Sequence, residues 1–176
     1  MPDGIIVRNA EVPEIDRLAR LWCDAWQDAH AKLVPAELVR LRTVPSFRQR
    51  LADDFSNIRV VGPPGDPWGF CIVRGEELYQ LFVAAHARGS GVAVALIHDA
   101  EARLAGAGVQ TAWLACAIGN DRATRFYEKN GWRRAGTMIN LAETSAGVLR
   151  LEVWRYEKSI GRTRQTGPDR SDAESQ

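Results

Sequence analysis

Long hydrophobic runs are absent from this sequence. No apolar stretch approaches the roughly 20 residues that a membrane-spanning helix needs. The N-terminal segment MPDGIIVRNAEV does not have the pattern of a signal peptide. We therefore expect a cytoplasmic protein that has no membrane partner.

Cysteine and histidine are scarce, with three residues of each. The cysteines are odd in number, scattered and set among apolar neighbours, so we expect buried reduced thiols. The histidines lack the spacing of metal ligands, so we expect no metal. These residues are Cys23, Cys71, Cys116, His30, His86 and His98.

A large excess of charge of either sign is also absent. The 176 residues carry a formal net charge of +1, which gives no reason to expect nucleic acid as a partner. With 45% apolar and 26% charged residues, the composition is that of a soluble globular protein, and the length suits one domain. Segment 159–176 has almost no apolar residue, so we expect a disordered tail after a domain of residues 1–158.

The spacing of apolar residues predicts one α/β domain with a mixed sheet. Strands are predicted at 5–8, 58–61, 68–73, 78–83 and 109–116, with two more within 132–157. Helices are predicted from 13, at 35–41, from 45, from 92 to the glycines at 106 and 108, and at 121–129. The turn at 74–76 makes an antiparallel hairpin, whereas the helical connection makes strand 109–116 parallel to strand 78–83.

The turn RGSGVA at residues 88–93 is the strongest local signal of a binding site. Gly89 and Gly91 allow backbone conformations that are closed to other residues, and they let a ligand come close. The free N–H groups of the following helix point into that gap, backed by the helix dipole, and Arg88 adds a full charge. The sequence therefore predicts an anion site of a size suited to pyrophosphate.

Other interpretations of the same turn make different demands on the sequence. A tightly packed βα turn would explain the glycines without any ligand. A dinucleotide-binding turn needs Gly or Ala where Val94 stands, and an acidic residue where Cys116 and Ala117 stand. A Walker loop needs Gly-Lys-Ser/Thr, which does not occur here.

Two motifs together resemble the GCN5-related N-acetyltransferase (GNAT) family. Arg88, Gly91 and Ala93 match that family's acetyl-CoA pyrophosphate loop, Gln/Arg-x-x-Gly-x-Gly/Ala. The segment NDRATRFYEKNGW, from Asn120 to Trp132, is similar to the family's N-x-x-A-x-x-F-Y-x-x-x-G-F/W pattern. The close resemblance covers residues 68–136, and the order of elements extends it to 5–157.

The resemblance implies a single-domain GNAT-like fold, with a mixed, mostly antiparallel sheet, splayed central parallel strands and flanking helices. The pantetheine arm of acetyl-CoA would enter between strands 78–83 and 109–116, and a backbone N–H near Val83 would stabilise the oxyanion. Asn120 matches a side chain that contacts pantetheine, although it could instead cap the next helix. The cofactor-binding residues implied are Leu81, Phe82, Val83, Arg88, Gly89, Ser90, Gly91, Val92, Ala93, Asn120 and Tyr127.

The resemblance also implies catalytic residues. Tyr127 occupies the family's general-acid position near the coenzyme A sulfur, and the alternative is that its ring only packs under the helix. Glu77, six residues before Val83, stands where some members keep a general base. The alternative is that Glu77 is only a solvated hairpin residue and that a water chain acts as the general base.

The first helices and their loops line the acceptor side in this family, which makes Trp22, Trp26, Asp28 and His30 candidate acceptor-binding residues. Trp68 is a candidate for the mouth of the cleft, and Glu77 is a further acceptor-binding candidate. Core packing is the alternative for Trp22 and Trp26. The acceptor could be a small amine, an amino-acid derivative, an antibiotic amine or a protein N-terminus. The sequence does not decide whether acyl groups longer than acetyl are also transferred. Because relatives are often dimers, a homodimer is a further expectation.

The sequence thus predicts an acetyl-CoA-dependent N-acetyltransferase that acts by direct attack in a ternary complex. A non-catalytic acyl-CoA-binding sensor or interaction module on the same fold is the alternative. A nicotinamide-dependent enzyme is disfavoured by Val94.

Overall fold

A computed structural model describes residues 4–161 of the chain. These residues form a seven-stranded mixed sheet with helices on both faces, which confirms the predicted fold class. The strands are β1 Val7–Asn9, β2 Ile58–Val61, β3 Gly69–Arg74, β4 Glu77–Val83, β5 Thr111–Ala117, β6 Arg133–Thr144 and β7 Gly147–Ser159. The helices are α1 Ile15–His30, α2 Ala36–Leu41, α3 Val44–Asp53, α4 Val92–Gly106 and α5 Asp121–Lys129.

Most predicted elements lie within two residues of their observed bounds. β5 begins at Thr111 rather than at Val109, because the Val109 N–H closes the end of α4 by donating to the Leu104 carbonyl at 3.0 Å. Gly108, with φ of +87°, makes that reversal of the chain.

The end of the described chain is more ordered than predicted. Ser159 pairs with Thr111 as the last residue of β7. The N–H groups of Ile160 and Gly161 donate to the Gln110 carbonyl at 2.9 and 3.1 Å. Of the predicted disordered tail 159–176, these three residues are therefore attached to the sheet, and 162–176 lie outside the described residues.

The strand order β1-β2-β3-β4-β5-β7-β6 puts the parallel pair β4 and β5 at the centre of the sheet. These two strands pair at one position, Glu77 opposite Trp113, and the Trp113 N–H donates to the Glu76 carbonyl at 3.1 Å. Beyond that pair the strands separate toward their C-terminal ends. The splayed central pair inferred from the resemblance is therefore present.

A β-bulge in β4 lies beside this separation. Ile72 pairs with Gln80 and Val73 pairs with Leu78, so Tyr79 is the extra residue of β4. A bulge bends its strand and turns the following side chains toward new neighbours. The bulge therefore contributes to the geometry of the gap between β4 and β5.

Two apolar clusters cover the two faces of the sheet. One lies beneath α4 and contains Leu96, Ile97 and Leu104 from that helix. The other lies beneath α1 and α3, and its largest fully buried members are Trp22, Phe47 and Phe70. The three cysteines are free thiols; two are buried and Cys23 is half-buried, which fits the expectation for reduced cysteines.

Candidate active site

The start of α4 has the geometry of an anion-binding cradle. Gly89 and Gly91 have φ of +76° and +90°, which side-chain-bearing residues rarely adopt. The Ala95 N–H donates to the Gly91 carbonyl at 3.0 Å and is the first amide bonded within the helix. The amides of Val92 and Ala93 therefore precede the helical hydrogen bonds and can bind an anion.

A carboxylate already contacts the arginine at this cradle. Arg88 donates from Nη2 to Oδ2 of Asp28, on α1, at 2.8 Å, and Arg122 reaches the same oxygen at 3.4 Å. Hydrogen bonding to Arg88 lowers the pKa of the Asp28 carboxyl below its usual range. A diphosphate in the cradle would therefore compete with Asp28 for the Arg88 guanidinium.

A cavity of about 450 Å³, which we call the cradle cavity, runs from this turn to the gap in the sheet. Leu81, Phe82 and Val83 of β4 line it, as do the turn residues Arg88, Gly89, Gly91 and Ala93. Two of the predicted cofactor-binding residues do not direct their side chains into this cavity. The Val92 side chain is buried in the core, and the Ser90 hydroxyl donates to the Ala87 carbonyl. Only the backbone of Val92 is available to a ligand.

A second cavity of about 230 Å³, the aromatic cavity, lies on the α1 side of the gap. Trp26, His30 and Phe82 are among its walls. The residues that line both cavities are Leu81, Phe82, Asn120, Ala123 and Tyr127. A molecule in the cradle cavity and one in the aromatic cavity would therefore meet beside these residues.

Tyr127 lies at this junction with a half-buried ring. The ring packs edge-on against Phe126 and Trp132, at centroid distances of 5.5 and 6.3 Å. Burial raises the pKa of the Tyr127 phenol above its usual range, and the nearby Cys116 contributes. The phenol hydroxyl has no hydrogen-bond partner within residues 4–161. It is therefore protonated and free to donate a hydrogen bond to a ligand. The Tyr127 ring therefore packs against its neighbours and also borders both cavities, so packing alone does not describe its position.

Glu77 is the first residue of β4 and lines the aromatic cavity. Burial raises the pKa of its carboxyl to about 7, while Arg74 and Arg155 act in the opposite direction. Its side chain forms no hydrogen bond or ion pair with the other described residues. A carboxyl that titrates near neutral pH at the wall of a cleft is suited to general-base chemistry.

Asn120 has the capping role that was the alternative to ligand contact. Its Oδ1 accepts a hydrogen bond from the Ala123 N–H at 3.3 Å, at the start of α5. Its side chain also borders both cavities, so contact with a ligand stays a prediction.

Trp26 and His30 form one wall of the aromatic cavity. Their rings stack at a centroid distance of 5.2 Å, and His30 Nδ1 donates to the Trp26 carbonyl at 3.2 Å. Burial lowers the pKa of His30, so the ring is neutral at neutral pH and its Nε2 is an acceptor. Trp22 is fully buried in the core, as its packing alternative predicted.

Trp68 does not line either cavity, so the structure does not support our expectation that it lies at the cleft mouth. Its ring packs against the apolar cluster beneath α4. The reason is its position just before β3, where its N–H donates to Val61 and its carbonyl accepts from Ala84.

Two arginines that the sequence analysis did not single out, Arg42 and Arg50, line the aromatic cavity. Arg122 and Lys129 likewise line the cradle cavity. Sequence gives no local signal for them, because their positions depend on how distant elements pack. Across residues 4–161 there is no cluster of three side chains able to hold a metal ion, and no helix is long and apolar enough to cross a bilayer.

Comparisons with known proteins agree with this geometry. Residues 16–132 match the sequence model of the acetyltransferase (GNAT) family. An uncharacterized N-acetyltransferase of Mycobacterium tuberculosis is 33% identical over 112 residues, which are 61% of this chain and 69% of that protein.

Solved structures also have this fold. An N-acetyltransferase from Staphylococcus aureus superposes with a TM-score of 0.67 at 19% identity, covering 90% of this chain and 99% of that one. A phosphinothricin acetyltransferase from Sinorhizobium meliloti, in complex with acetyl-CoA, has a TM-score of 0.67 at 14% identity, covering 96% and 95%.

Proposed function

The chain belongs to the acetyltransferase (GNAT) family and is an N-acetyltransferase, and on that premise we propose that it moves an acetyl group from acetyl-CoA to a primary amine by direct attack in a ternary complex. The observation that carries this proposal is the meeting of the two cavities at Tyr127. One cavity begins at an anion cradle, and the other contains a carboxyl with a pKa near neutrality.

The cradle fits the diphosphate of acetyl-CoA. Amides of the first turn of α4 would donate to it, and Arg88 and Arg122 would supply positive charge. Side chains at Gly89 and Gly91 would be strained because φ is positive at both positions. The pantetheine arm would lie along Leu81 to Val83 in the gap beside β5, where backbone groups of β4 have no strand partner.

The reacting groups would then be arranged around the junction. Glu77, directly or through a water chain, takes a proton from the acceptor amine, because only the neutral amine can attack. The amine nitrogen forms a bond to the acetyl carbon, a backbone N–H near Val83 stabilises the oxyanion, and the carbon–sulfur bond breaks. Tyr127 gives its proton to the leaving sulfur and regains one, directly or through water, from the positively charged nitrogen of the tetrahedral intermediate. Glu77 releases its proton to solvent, so the products are the N-acetylated amine and the free thiol.

Release of free thiol from acetyl-CoA, measured over a panel of amines, tests this proposal. We expect at least one amine to be turned over, and we expect Tyr127→Phe to lower kcat about 10²- to 10⁴-fold with little change in acetyl-CoA affinity. Phe126→Leu is a matched control, because it alters the neighbouring ring without removing a hydroxyl. Binding of acetyl-CoA without turnover of any amine would instead favour the non-catalytic module.

A further inference from the structure

Two guanidinium groups in the aromatic cavity have no carboxylate partner within the described part of the chain. Arg42, which is 7% exposed, donates from Nη1 to the Glu143 main-chain carbonyl at 2.9 Å. Arg50 donates from Nη2 to the Tyr79 phenol oxygen at 2.8 Å and lies over the Trp22 ring, 4.3 Å from its centroid. Both arginines are thus oriented by neutral groups alone.

Arg42 retains unused donors. Its Nε is buried without any hydrogen-bond partner, and no described residue accepts a bond from its Nη2. Burial and the nearby Arg50 lower the pKa of Arg42 to about 10, so it is still a cation at neutral pH. A buried cation without a counter-ion is unfavourable, and a second cation nearby adds repulsion.

The other ionisable walls of the aromatic cavity do not neutralise this pair. Glu77 and Glu152 also line the cavity, but neither forms an ion pair with the two arginines among residues 4–161. His30 is neutral. The region around the arginines is therefore positive, and an anionic ligand would remove an existing electrostatic cost.

We propose that the acetyl acceptor is a small amine that also carries a carboxylate, with that carboxylate bound by Arg42 and Arg50 and its amine directed toward Tyr127. This inference rests on the proposed function and specifies its substrate class. A planar guanidinium matches a carboxylate through paired N–H donors. The cavity of about 230 Å³ has room for a molecule of amino-acid size.

The test compares carboxylates with their neutral counterparts. Each standard L-amino acid and its carboxamide are assayed with acetyl-CoA by thiol release. We expect at least one amino acid to be acetylated, with kcat/KM about 10- to 100-fold above that of its carboxamide. The carboxamide has the less basic amine, which is more often unprotonated, so intrinsic reactivity opposes the expected preference.

Variants identify the groups responsible for that preference. Arg42→Gln and Arg50→Gln should each bring the ratio of acid to carboxamide toward one. Arg40→Gln, at an exposed arginine of α2, should leave it unchanged. A purely structural role for Arg42 would lower the melting temperature without moving the ratio, so the half-buried Arg50 gives a second test if Arg42→Gln does not fold.

Acetyl-CoA binding, measured by calorimetry, separates this inference from the proposed function. If acetyl-CoA does not bind, the proposed function fails. If it binds but carboxamides react as well as acids, if no amino acid is acetylated, or if both arginine variants keep the wild-type ratio, the carboxylate proposal is overturned and the proposed function stands.

Discussion

Replacing Glu77 with glutamine tests whether this carboxylate is the general base of the reaction. If Glu77 accepts the amine proton, wild-type kcat/KM should rise with pH along a limb centred near 7, where this carboxyl ionises. Glu77→Gln should lower kcat/KM about 10²- to 10⁴-fold and abolish that limb. The assay is thiol release from acetyl-CoA between pH 5.5 and 9, with the best acceptor from the amine panel.

The same substitution should change stability with a definite sign. The folded carboxyl keeps its proton up to a pKa of about 7, whereas the unfolded one loses it near the ordinary 4.5. The folded state therefore binds more protons in this window, and the wild-type protein loses stability as pH rises from 4.5 to 7. This pKa difference corresponds to about 3 kcal/mol, and partial exposure to solvent reduces it to about 1–2 kcal/mol.

Urea unfolding at pH 5 and pH 8 measures this effect. Glu77→Gln should be more stable than wild type at pH 8, and the difference should shrink toward pH 5. Glu76→Gln, at an exposed neighbour, is the matched control and should alter neither the rate nor the stability. An unchanged pH profile in Glu77→Gln would assign the base to a water chain, and equal stability at pH 8 would refute the desolvation argument.

Four further substitutions test the cradle and the core. Arg88→Glu should weaken acetyl-CoA binding about 10- to 100-fold in calorimetry, because it puts a negative charge beside the diphosphate; unchanged affinity would refute the cradle. Asp28→Asn should strengthen that binding about two- to fivefold at low salt, because a competing partner of Arg88 is removed; no gain would mean that the Arg88 pair imposes no cost on binding. Gly91→Ala should weaken binding and lower the melting temperature, since φ is +90° and the new methyl would lie 3.2 Å from Ile5; a melting temperature equal to wild type would contradict this. Trp22→Ala should cost about 3–5 kcal/mol of unfolding free energy by urea titration, with a loss below 1 kcal/mol arguing against its role in the core.

The cradle was predictable from sequence because its signals are local. Gly89, Gly91 and Arg88 are neighbours in the chain, and the helix that follows begins where its apolar face begins. The α5 helix was predicted with its observed bounds for the same reason. Such features depend on a few consecutive residues, so they can be predicted before any tertiary contact is known.

The acceptor side could not be predicted in this way. Arg42 contacts the carbonyl of Glu143, 101 residues later, and Arg50 contacts Tyr79 on a bulge that no turn residue marks. Trp68 was a candidate for the cleft mouth, yet its position just before β3 packs its half-buried ring against the apolar cluster beneath α4. The aromatic cavity brings together Arg42, which follows α2, and Arg50 of α3, and the walls of that cavity depend on the whole fold.

Because β4 and β5 pair at a single position, a cofactor bound between them as proposed would help to hold the two parts of the sheet together. Within the sheet, β1 to β4 on one side and β5 to β6 on the other are joined at Glu77 and Trp113 alone. A ligand arm bonded to both strands would bridge that seam, and at a hundredfold excess over its Kd it would add about 2.7 kcal/mol to stability. The melting temperature would then rise with the concentration of acetyl-CoA, through a bridge that no side chain of the protein supplies.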